Sequence, residues 1–261
     1  MLLKTGSQKA FFIMVFIQRN SDPASRIANL SQVEAILFDA VGTLIRPRRS
    51  VADTYHAVGR RHGFDVLPDV IARRFPRALR RQDQLDAQSG DWRTSEPRER
   101  QRWRDIVAEV FSNAEGAGDL DALFADLWEH FAAPENWQVY HDVQPTWRRL
   151  ANQGRILGVA SNLDCRLADL AAGLAPLHEC QHWFISSQLG VRKPAEQFFA
   201  AIEQRLGLAA HQILLVGDDW QNDIVGARRR GWHARLLDRQ RQRPGKLAID
   251  DLADLLALLP E

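Results

Sequence analysis

Four apolar runs, EAILFD (34–39), RILGVAS (155–161), HWFISS (182–187) and QILLVGD (212–218), each stop abruptly on polar residues. Short, fully apolar runs bounded by turn residues read as strands buried on both faces. Such strands belong to a parallel sheet covered by helices. Helical stretches such as DCRLADLAAGL and AEQFFAAIEQRLGL separate the later runs, and ARLLD (234–238) adds a weaker fifth. Strand and helix in alternation imply an α/β fold built on a doubly wound parallel sheet. The terminal DDLADLLALL reads as an amphipathic helix with Asp250 at its N-cap.

Between the first and second runs, residues 51–142 carry helical patterns and no strand-like run. A stretch of that length is too long for a loop in a compact domain, so it is expected to form an inserted helical subdomain of its own. Pro76 should kink or split the helix that contains it. The core is then expected to comprise 33–50 and 143–261, with residues 1–32 expected to be a disordered N-terminal extension. The apolar stretch Ala10 to Ile17 within that extension is too short to span a bilayer.

Composition narrows the partners. With 34 basic and 33 acidic residues the chain has a net charge of +1, which gives no electrostatic case for nucleic acid or an anionic membrane. The two cysteines form no disulfide framework, so reduced thiols in a cytoplasm are expected. The sequence is silent on oligomeric state.

Ligands of an open parallel sheet bind beyond the carboxyl ends of its strands. Asp39, Ser161 and Asp218 stand at three such ends. Lys193 follows the third run, HWFISS, by a few residues, and it is the only lysine between positions 9 and 246. If these strands are neighbours, Asp39, Asp218, Asp219 and Asp223 crowd several carboxylates against one ammonium, which is unfavourable without a cation. Oxygen donors in low number suit Mg2+. Ser161, the backbone N–H of Asn162 and Lys193 are then available to hold the oxygens of a phosphate. These residues describe Mg2+-assisted phosphoryl transfer on a small phosphorylated substrate, with Asp39 as nucleophile.

The ordered motifs FDAVGTL, VASNLD, VRKPAEQFF and LVGDDWQNDIVGARRRG resemble those of the haloacid dehalogenase-like (HAD) superfamily of hydrolases. The segment NWQVYHDVQPTWRRLANQGRILGVASNLDCRL is similar to the subgroup named after rhythmically expressed gene two. The resemblance implies a Rossmann-like core with a helical cap and Mg2+ as cofactor. It implies that Asp39 is both nucleophile and metal ligand, joined by the backbone carbonyl of Val41, by Asp218 and by Asp223. Ser161, Asn162, Thr43 and Lys193 would bind the phosphoryl group, and Gly42 and Thr43 would shape the turn that exposes Asp39.

Val41 departs from that pattern. In HAD phosphatases the residue two after the nucleophile is an aspartate that protonates the leaving alcohol, and valine cannot. Tyr55 and His56, on the first helix of the insertion, are candidates to substitute. Three readings follow. One is a phosphatase with weakened acid–base chemistry that favours good leaving groups. The second is a non-catalytic binding protein. The third is a 2-haloacid dehalogenase, whose halide needs no proton.

Overall fold

A computed structural model describes residues 30–112, 118–243 and 245–260. The expected extension over 1–32 lies outside them, apart from a single turn at Leu30–Gln32 whose Leu30 is buried in the core.

The strands are β1 (Ala35–Phe38), β2 (Ile45–Pro47), β3 (Trp137–Val139), β4 (Ile156–Ser161), β5 (His182–Ile185), β6 (Ile213–Gly217), β7 (His233–Leu237) and β8 (Ala248–Ile249). Six of them form one parallel sheet in the order β5-β4-β1-β6-β7-β8. The five strands read from the sequence all form. Ile36 and Phe38 pack into one apolar layer, while Ala35 and Leu37 pack into the other, so β1 is buried on both faces. That double burial is why these strands read as unbroken apolar runs rather than alternating ones.

Register decides where the polar ends meet. Phe38 lies opposite both Val159 of β4 and Val216 of β6. One or two residues further along, Asp39, Ser161 and Asp218 leave the sheet side by side. After β1 the chain winds to one edge through β4 and β5, then returns beside β1 as β6, so a crevice opens at this reversal.

The insertion holds α1 (Val51–Arg61), α2 (Pro68–Ser89), α3 (Glu96–Val110) and α4 (Leu120–His130). Their inner faces form a separate apolar cluster around Tyr55, Ile71, Ile106, Leu123 and Leu127. The chain leaves and re-enters the core through the antiparallel pair β2–β3, with Arg46 opposite Gln138. Strands of three residues are too short to show a period, so this ribbon had no sequence signature. Helices α5 (Val143–Asn152), α6 (Arg166–Ala172), α7 (Ser186–Leu189), α8 (Glu196–Leu206) and α9 (Gly226–Arg229) accompany the core strands.

Two local expectations are corrected. Pro76 does not split its helix, because α2 runs unbroken over 22 residues. The proline stands at an exposed position where water can satisfy the freed carbonyl, and buried Ile71 and Ala78 anchor the helix on either side of it. At the C-terminus Asp251, not Asp250, is the cap. Its side chain accepts from the Ala253 N–H and starts a 3-10 turn that leads into α10 (Leu255–Leu258). Asp250 pairs with Arg241 instead. Among the described residues no helix is long and apolar enough to cross a membrane.

Candidate active site

The peptide after β1 is fixed by the Asp39 N–H, which donates to the Val216 carbonyl at 2.8 Å. The chain then turns at once, with Gly42 at φ +93°. A side chain at Gly42 would put its Cβ 2.4 Å from Asp218 Oδ2, so the left-handed turn and the neighbouring carboxylate both demand glycine. Thr43, fully buried, donates its hydroxyl to Asp218 Oδ1 at 3.3 Å, and its carbonyl accepts from Arg239.

Lys193 is the centre of the site. Its side chain is 1% exposed, and Nζ donates to Asp39 Oδ1 at 2.8 Å, Asp223 Oδ1 at 2.6 Å and the Ala160 carbonyl at 2.7 Å. Burial alone would strip its proton, but Asp223 and Asp39 outweigh it and hold the ammonium charged, well above the usual lysine value. Asn162 grips the Lys193 backbone from both sides. Its Nδ2 donates to the Lys193 carbonyl at 2.9 Å, and its Oδ1 accepts from the Lys193 N–H at 2.8 Å. Ser161 lies beside them at the end of β4, lining the same cavity as Asp39 and Lys193.

After β6 the chain enters a π-helical segment, Trp220–Val225, which turns Asp223 back against the strand. The Asp219 N–H donates to Asp223 Oδ2 at 3.0 Å, and Gly217 makes the approach possible, since a Cβ there would stand 2.1 Å from that oxygen. Asp219 spends its own carboxylate on capping, accepting from the N–H groups of Gln221 and Asn222. Asp39, Asp218 and Asp223 each offer an oxygen, all within 4.8 Å of one another. Burial pushes the Asp223 carboxyl up to about 7, against the pull of Lys193. Asp218 opens to the cavity, yet the protein packed around it and the charge of Asp39 push it up to about 7 as well. Three crowded carboxylates, hard oxygen donors only, form a donor set that fits a small divalent cation such as Mg2+.

Removing the ammonium should therefore be costly. In Lys193→Met the fully buried Asp223 loses its countercharge, and we expect a loss of about 3–5 kcal/mol in denaturant unfolding at neutral pH without added metal. Unchanged stability would mean that Lys193 does not balance these carboxylates.

The two candidates to substitute for the missing aspartate, Tyr55 and His56, both lie on α1. His56 Nδ1 lies 2.8 Å from the Val66 carbonyl, within the insertion. Tyr55 lines the cavity, but its ring stacks on Phe111, and burial holds its hydroxyl protonated above the usual tyrosine value. Arg46 stacks against Tyr140. Trp220 is 47% exposed and faces outward beside Arg243. Two supports carried no signal in the sequence. One is Arg239, which clamps the Thr43 carbonyl and Asp142 beneath the first loop. The other is the aromatic cavity, of about 480 Å³, that rises from Asp39 and Val41 into the insertion.

A family model described as haloacid dehalogenase-like hydrolase matches residues 33–231. Haloacid dehalogenase-like hydrolase domain-containing protein 3 of Mus musculus is 32% identical over 220 residues, 81% of this chain and 84% of that one. The glyceraldehyde 3-phosphate phosphatase of Methanopyrus kandleri is 36% identical over 93 residues, 35% of this chain and 40% of its own. Among solved structures, L-2-haloacid dehalogenase from Xanthobacter autotrophicus superposes with a TM-score of 0.67 at 18% identity, covering 87% of this chain and 98% of that one.

Proposed function

The chain belongs to the haloacid dehalogenase-like hydrolases, and on that premise we propose that it is a Mg2+-dependent phosphatase acting on a small phosphorylated metabolite. The observation that carries this reading is the convergence of Asp39, Asp218 and Asp223 within 4.8 Å around the buried Lys193. A dehalogenase binds a carboxylate substrate, which three converging acids without a cation would repel. A phosphatase uses them to hold the ion that shields its substrate's charge. We read α1–α4 as the cap over this site. The free Cys165 and Cys180 fit a cytoplasmic setting.

Asp39, Asp218, Asp223 and the backbone carbonyl of Val41 would hold Mg2+, which would neutralise phosphoryl oxygens and favour attack by an anion. Asp39 attacks phosphorus and forms an aspartyl-phosphate as the leaving group departs. Ser161 and the Asn162 N–H hold the equatorial oxygens, where charge is concentrated in the transition state, and Lys193, whose protons are engaged by Asp39, Asp223 and the Ala160 carbonyl, adds its positive charge beside them. Asn162 keeps Lys193 aimed by gripping its backbone. Val41 moves no proton, so the leaving oxygen departs as an anion and substrates with stable leaving anions are favoured. Thr43 steadies Asp218 through its hydroxyl.

The test is phosphate release from acetyl phosphate, with and without Mg2+, beside halide release from a 2-haloacid with metal chelated. Mg2+-dependent phosphate release is expected. At about 100 times its dissociation constant the ion should also stabilise the fold by ~2.7 kcal/mol in thermal unfolding. Halide release alone would make it a dehalogenase. Binding of Mg2+ with neither activity would make it a binding protein.

A further inference from the structure

The cavity beyond Asp39 has a chemical character that the phosphate end does not share. Its walls carry Tyr55, Phe75, Trp103, Trp128, Phe131 and Trp137, and Val41 stands at its base with 36% of its surface open. The charged side chains in the same walls are engaged with each other. Arg102 donates to Asp83 and Asp86 at 2.5 Å each, and Arg192 donates to Glu99 at 2.7 Å. Arg166 donates to both oxygens of Asp164 at 2.7 Å and lies 3.4 Å from the centre of the Trp128 ring. Arg80 has no carboxylate partner among the described residues, but it is exposed.

Such a space offers a polyhydroxylated sugar few free hydrogen-bonding partners, and each hydroxyl buried without one is penalised. It offers a planar apolar group a large contact surface. The base of the cavity adds a second, independent constraint. Val41 supplies no proton to the leaving oxygen, so that oxygen must be stable as an anion. An apolar alcohol satisfies the walls but not this requirement, and an acyl phosphate of a small acid satisfies the requirement but not the walls.

We infer that the cavity above Asp39 takes an aryl phosphate, a phosphate monoester whose leaving group is an apolar ring bearing the phenolic oxygen. The inference rests on the phosphatase reading. The Asp39 carboxylate forms a bond to phosphorus while the bond from phosphorus to the aryl oxygen breaks, its electron pair leaving on the phenolate. The phenolate takes a proton from solvent after departure. Water then attacks the aspartyl-phosphate at phosphorus and loses a proton to solvent, which frees inorganic phosphate and restores the Asp39 carboxylate. Val41 and the rings of Phe75 and Trp103 select the substrate by contact with the aromatic ring.

Three substrates separate these requirements: 1-naphthyl phosphate, acetyl phosphate and glucose 6-phosphate. We expect kcat/KM for 1-naphthyl phosphate to exceed that for glucose 6-phosphate by about 10²-fold or more, since the latter lacks the proton its alkoxide needs. The KM for 1-naphthyl phosphate should lie roughly tenfold or more below that for acetyl phosphate, which has a good leaving group but no ring. In Trp103→Ala and in Phe75→Ala, each first shown to be folded by thermal unfolding, the ratio of kcat/KM for 1-naphthyl to acetyl phosphate should fall about tenfold. Trp103→Phe should restore much of it. If acetyl phosphate is turned over through Asp39 while the naphthyl ester is not preferred, or both alanine variants leave the ratio unmoved, the aryl assignment fails and the phosphatase reading stands. If none of the three releases phosphate, both fail.

Discussion

Asp39→Asn is expected to reduce phosphate release from acetyl and aryl phosphates to background, a loss on the order of 10⁴-fold or more, as for other nucleophile deletions. The substitution is isosteric and keeps an oxygen in place to accept from Lys193 Nζ, which lies 2.8 Å from the native carboxylate. The fold should therefore survive. Relief of the crowding felt by Asp218 and Asp223 offsets the ion pair lost from Lys193, so the melting temperature without metal should stay close to the native one. An unchanged melt separates loss of chemistry from loss of structure in one pair of measurements, a steady-state assay and a thermal melt. Mg2+ should stabilise the variant less than the native protein, since one of the three converging carboxylates is gone. A variant that retained much of its rate would show that Asp39 is not the nucleophile, however well the geometry suits it.

The parts of the fold that were legible in the sequence were those where a single physical demand acts on every residue of a segment. A central parallel strand must be apolar throughout, and β1, β4 and β6 announced themselves for that reason. Their polar ends were legible too, because the sheet's register carries neighbouring strand ends to one place without further instruction. What lay hidden were contacts made by residues far apart in the chain. Arg239 beneath Thr43 and the self-paired Arg102, Arg192 and Arg166 look like solvated arginines until the structure pairs them. Asn162 was expected to offer its backbone to phosphate, and its side chain proved to hold Lys193. Asp219 follows Asp218 directly and is chemically its equal, but only backbone geometry shows that it is spent on capping. The helices of the insertion were visible as helices, yet their inner aromatic faces looked like ordinary core. Trp103 and Trp128 stay partly open and line the cavity.

Val41→Asp carries the second large effect, and its direction depends on the substrate. Val41 is open to the cavity, so an aspartate there is hydrated and displaces nothing. It would be a fourth carboxylate beside three that already repel one another, and like charge raises a carboxyl pKa. A raised value is what a general acid needs at neutral pH. For an alkyl phosphate, whose leaving oxygen must be protonated as the bond breaks, the gain expected is about 10²–10⁴-fold in kcat/KM. For an aryl phosphate the leaving anion already departs unaided, so the same substitution should change the rate little, and lost contact between ring and valine should raise KM. The informative quantity is therefore the ratio of alkyl to aryl turnover, read in the native protein and the variant at one Mg2+ concentration. A ratio that rises steeply means that the native site has working phosphoryl-transfer machinery tuned to leaving groups that need no proton. If alkyl phosphates gain nothing, proton transfer is not what limits this site, and the explanation of its selectivity by Val41 is wrong.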